Sequence, residues 1–74
     1  VSLAEALEIG QRILELDVCH QEAYALMMRV QLDCQNPVEA IKLYDRAQKA
    51  LARELQVEPS LDLFRLHTEA RLLL

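Results

Sequence analysis

Seventy-four residues, 53% of them hydrophobic, make at most one domain with a thin core. The formal net charge of −4 argues against direct contact with nucleic-acid phosphates, and no apolar run reaches the length of about 18 residues that a membrane span needs. One glycine and two prolines leave few helix breakers, so an all-α domain is expected.

The chain opens on Val1 rather than Met, and residues 1–74 are expected to be a single domain taken from a longer chain. No signal-peptide pattern is visible, and a cytoplasmic location with Cys19 and Cys34 as reduced thiols is expected. On one helix the two cysteines stand ~22 Å apart, too far for a disulfide, whose Cα atoms lie within roughly 7 Å.

Ser2 and Glu5 have the spacing of a capping box and start the first helix, which runs to about Leu16 with Leu3, Leu7, Ile13 and Leu14 as its apolar stripe. Glu8 and Arg12, four apart in the favourable order, are expected to pair. Residues 17–21 form a short turn. The second helix covers Gln21 to Cys34, with Ala23, Leu26, Met27, Val30 and Cys34 marking its buried side. Asn36, Pro37 and Glu39 then read as cap, first helical residue and capping-box acid of a third helix. That helix runs to Leu55 with a stripe of Ala40, Ile41, Tyr44, Ala47, Leu51 and Leu55. Pro59 ends regular helix, and Ser60 caps a fourth one carrying Leu61, Phe64, Leu66, Ala70 and Leu73. Short connections make neighbours antiparallel, so the expected fold is a right-handed stack of about four helices in hairpins.

A shift of 34 residues aligns residues 5–18 with residues 39–52, matching Glu5 to Glu39, Ala6 to Ala40 and Arg12 to Arg46. That shift is the tetratricopeptide period. Residues 23–47 resemble one tetratricopeptide unit, with Tyr24 near the start of its first helix and Ala40, Tyr44 and Ala47 at the A-x3-aromatic-x2-A spacing of its second. Small side chains at Ala40 and Ala47 let the second and third helices approach, and Tyr44 fills the gap. Ala6 holds the corresponding place in the first helix. Gly10 and Ile13 depart from the pattern, which prefers a bulky residue at the first and a small one at the second.

The stretch "EAIKLYDRAQKALARELQVEPSLDLFRLHTEA" is similar to the bacterial transcriptional activator domain, whose members show a long helix ending in an L-A-x-E-L-G-V-E-P-S phrase and then one more helix. The most specific part is Leu51 to Ser60, with Gln56 in place of the usual glycine and Leu61 in place of a frequent second proline. At φ > 0 Gln56 reproduces the glycine turn under strain; if helical, it lets the helix fray one residue later. The resemblance implies a helical regulatory domain that follows a winged-helix DNA-binding domain in activators of the antibiotic regulatory protein type. It packs on its neighbours or mediates association.

Catalysis and metal binding find no support. Glu54 and Glu58 lack a converging base or nucleophile, and His20 beside Cys19 has no third ligand at metal spacing. No phosphate-binding glycine loop is present, so no cofactor is expected. Lys42, Arg46, Lys49 and Arg53 form a basic stripe on the third helix; its plain reading is a solvated face with Asp45 and Lys49 paired. The second helix offers only Arg29, which argues against a tetratricopeptide carboxylate clamp.

The expectation is a non-enzymatic protein-contact domain of a bacterial activator. Its partners are neighbouring domains or a second copy, with no direct nucleic-acid contact and no membrane. Arg46, Lys49, Arg53 and Phe64 are the candidates for partner contact. Ala6, Tyr24, Ala40, Tyr44, Ala47, Leu51 and Leu55 are the candidates for helix packing. A stand-alone tetratricopeptide adaptor for peptides, or a helical accessory segment of a signalling enzyme, has the same local sequence.

Overall fold

A computed structural model describes residues 2–74. It contains α1 (Leu3–Leu16), α2 (Gln21–Asp33), α3 (Pro37–Leu55) and α4 (Leu61–Leu72), and no strand among the described residues. Helix α2 packs on α1, α3 and α4, and α4 packs on α3 as well. The fold is an all-α, tetratricopeptide-like stack of antiparallel hairpins.

Three of the four helix starts carry a side-chain cap, one of them from an unexpected residue. The Glu5 N–H donates to Ser2 Oγ at 3.1 Å, and the Leu63 N–H to Ser60 Oγ at 3.4 Å. Helix α2 is capped by His20, whose Nδ1 accepts from the Ala23 N–H at 3.2 Å. An imidazole nitrogen does here what Ser or Asp usually does. Asn36 makes no side-chain cap on α3, contrary to expectation; its amide turns to Gln31 Oε1 at 3.4 Å. Its N–H is already committed to the preceding helix end, donating to the Gln31 carbonyl at 2.8 Å. With Gln35 at φ 59 and its N–H on the Leu32 carbonyl at 3.0 Å, this is a Schellman closure of α2.

Gln56 closes α3 in the left-handed region, at φ 55. The Val57 N–H reaches back to the Leu51 carbonyl at 3.3 Å, and Gln56 Nε2 donates to the Arg53 carbonyl at 3.2 Å. The loop is pinned to α2, because the Ser60 N–H donates to Gln21 Oε1 at 2.8 Å. The Leu51–Ser60 phrase therefore sets where α4 departs.

The core is built around α2, which buries Ala23, Tyr24, Met27, Met28, Val30 and Leu32 because three helices surround it. Helix α3 adds Ala40, Leu43, Tyr44, Ala47, Ala50 and Leu51; Ala40, Ala47 and Leu51 are fully buried. The Tyr24 hydroxyl donates to the Val18 carbonyl at 2.8 Å, and the Tyr44 ring stacks on His67 with centroids 4.1 Å apart. Gly10 explains its own departure from the repeat pattern: a Cβ there falls 2.5 Å from Met27 Cγ and 2.7 Å from Met27 Sδ. The missing side chain makes room for Met27 where α1 crosses α2.

Several expected stripes need correction. Leu55 is 55% exposed and does not extend the packing. With 19 residues against the 13 of its antiparallel partner α2, α3 is ~28 Å long against ~20 Å, so its last turn overhangs. On α4 Ala70 is buried and Leu66 half-buried against the core as expected, but the other buried residue is Leu63, while Leu61, Phe64 and Leu73 face outward. Leu26 and Cys34 on the α2 side are exposed too, and so is Leu3. Ala6 is half-buried.

Candidate functional site

At ~100° per residue, positions 46, 49 and 53 fall within an arc of about 60° on α3. The structure brings Arg46, Lys49 and Arg53 together around a shallow cavity of about 240 Å³, completed by Val18, Tyr24 and Ala50. Lys42 continues the same row in sequence but does not line the cavity; its ammonium pairs with Glu39 at 3.4 Å. The expected Asp45–Lys49 pair does not form. Lys49 has no ion-pair or hydrogen-bond partner among the described residues. Arg53 uses its Nε on Glu54 at 3.0 Å, and Arg46 reaches only the neutral Gln11 Oε1, at 3.5 Å. The cation row was legible in the sequence. The wall was not, because Val18 and Tyr24 arrive from the α1–α2 turn and α2.

Burial raises the Tyr24 hydroxyl above its ordinary value, while the guanidinium charges of Arg46 and Arg53 pull the other way. Both cations thus bear on the floor of this cavity. Beside it, the Cys19 thiol donates to the Ala50 carbonyl at 3.5 Å and is held above its ordinary value by burial, then by the Asp17 and Glu54 carboxylates. Both cysteines are free.

A second surface lies on α4. Phe64, His67, Thr68, Arg71 and Leu72 line an open hollow of about 480 Å³, with Phe64 53% and Leu72 82% exposed. Leu61 joins the same apolar face. Helix α1 has a comparable outward face at Ile9 and Leu16, where Leu16 is 91% exposed. A third depression, about 600 Å³, runs between α2 and α4 past Leu26, Arg29, Arg65 and Leu66, closed at one point by an Arg29–Glu69 ion pair of 2.7 Å. No group of three or more potential metal-ligating side chains converges among the described residues.

These features define the class: a helical-hairpin repeat domain whose chemistry lies in open surfaces. The sequence model of one family, the bacterial transcriptional activator domain, matches residues 2–71, and the chain belongs to that family. Neither curated proteins nor solved structures yielded a match. No helix among the described residues is long and apolar enough to cross a membrane.

Proposed function

We propose that this chain is a non-catalytic regulatory and protein-contact domain of a bacterial transcriptional activator. It works in the cytoplasm as one module of a longer chain and leaves DNA contact to a separate domain. Membership of the family over residues 2–71 is the observation that carries this reading. The outward apolar faces support it: Leu61, Phe64 and Leu72 on α4, and Ile9 and Leu16 on α1, are large side chains left wet by the fold of this chain. Such patches mark contact surfaces. Their occupant is a neighbouring domain of the activator or a second copy.

Sedimentation velocity over a concentration series separates the two occupants. A dimer that forms with rising concentration and is lost in Phe64→Ser or Ile9→Ser assigns the faces to self-association. A monomer throughout leaves docking in cis, read as binding to the separately produced DNA-binding domain of the same activator and lost in the same variants. Failure of both associations sinks the proposal.

A further inference from the structure

We propose that the cavity on α3 is an oxyanion site that receives the carboxylate side chains of an acidic segment of a partner protein. The inference rests on the protein-contact reading above and names the chemistry of the partner at one surface. Three cations converge on one small cavity in a chain whose acids outnumber its bases by 12 to 8. Their donor capacity is largely unspent: Lys49 has no partner among the described residues, Arg53 keeps its terminal nitrogens, and Arg46 has only a long contact to a neutral amide. Ion pairs hold Arg12, Arg29, Lys42 and Arg53; of these only Arg53 lines the cavity.

The shape selects the partner. The apolar wall of Val18, Tyr24 and Ala50 excludes water from one side of the cations and strengthens any charge-assisted hydrogen bond made there. Arg46, Lys49 and Arg53 rise ~10 Å along α3, a span that two or three carboxylates of a short acidic segment cover at ~3.3 Å per residue. Duplex DNA suits it poorly. Its charges continue every ~1.7 Å along the axis and run beyond the cavity. There they meet Glu54, paired with Arg53 at 3.0 Å, and Asp17, whose carboxylate accepts the Cys19 N–H at 3.0 Å next to Val18.

The test is an NMR titration of the isotope-labelled chain with hexaglutamate, inorganic phosphate and a short DNA duplex at about 0.15 M salt. Hexaglutamate is expected to move the Val18, Tyr24, Lys49 and Ala50 amides in a saturable way, with phosphate moving the same set more weakly. Lys49→Gln lowers the peptide affinity by up to about fivefold, the scale of an exposed ion pair. The Arg46→Gln/Lys49→Gln/Arg53→Gln triple variant abolishes the response, whereas Lys42→Gln leaves it unchanged. All these side chains are exposed, so circular dichroism is expected to show the fold intact. Shifts scattered over the surface, equal weakening by Lys42→Gln, or tighter binding of DNA than of peptide overturns the proposal. A negative titration with positive sedimentation or docking removes the cavity alone and leaves the broader function standing.

Discussion

Replacing Gly10 by alanine sets two known effects against each other. Helix propensity favours alanine by about 1 kcal/mol in a helix interior. The new Cβ, however, meets Met27 Cγ at 2.5 Å and Sδ at 2.7 Å, where comfortable carbon contacts lie at about 3.5–4.0 Å. Met27 must retreat by about 1 Å, yet it is only 6% exposed and part of the buried core cluster. Overpacking of this kind costs about 1–3 kcal/mol, so Gly10→Ala is expected to be net destabilising by about 1 kcal/mol. Met27→Ala alone empties a core site and costs about 2–5 kcal/mol. In the double variant the clash disappears and the new methyl sits in part of the vacated space. The two effects should then fall short of their sum by about 1–3 kcal/mol, a coupling well above the scatter of independent sites. Urea unfolding followed by far-UV circular dichroism measures all four corners of the cycle, provided the m-value stays constant. A Gly10→Ala protein that is about 1 kcal/mol more stable, or a cycle that closes additively, refutes the close-approach account of this glycine.

Gln56→Gly and Gln35→Gly each relieve a side chain held at positive φ and should raise stability by about 0.5–1 kcal/mol in thermal melts. The gain is smaller at Gln56, which gives up its hydrogen bond to Arg53; a loss of stability at both sites contradicts the strain argument. His20→Ala removes the α2 cap and should cost about 1 kcal/mol, while His20→Asn retains most of the stability; equal unfolding midpoints for the two variants argue against capping. Burial holds the Tyr24 and Tyr44 hydroxyls above their ordinary value of 10.0, and Cys19 above 9.0. The unfolded chain therefore releases these protons first as pH rises. Stability is full below pH 9 and should fall through pH 10 and above. The Tyr24→Phe/Tyr44→Phe double variant should flatten that slope in a pH series of urea midpoints, and an unchanged slope counts against tyrosine as its source.

Helix number, order and most ends were set by local chemistry that a linear chain carries: Ser2 and Ser60 as caps, Pro37 at a first turn, and alanine at 40 and 47 in the middle of an apolar stripe. The Leu51–Ser60 phrase was legible through its resemblance to the family pattern and through local acts such as Ser60 capping α4, whereas its anchorage by the Ser60 N–H on Gln21 was not. Which face of a helix turns inward was decided elsewhere. Helix α4 scatters its apolar residues around the helix among Asp62, Arg65, His67, Thr68, Glu69 and Arg71, so no periodicity could choose Leu63 over Leu61 or Phe64; the positions of α2 and α3 made that choice. The exposure of Leu55 needed the relative lengths of two helices, and the place of Gly10 needed the path of Met27 from another helix. The candidate site divides in the same way. Its cations share one helix face and were visible at 46, 49 and 53, whereas its wall joins residues 18, 24 and 50 only after α1, α2 and α3 have packed. Periodicity and capping are local and act within about two helical turns. A cavity is made from what separate segments leave unfilled between them, and only the packed chain determines that.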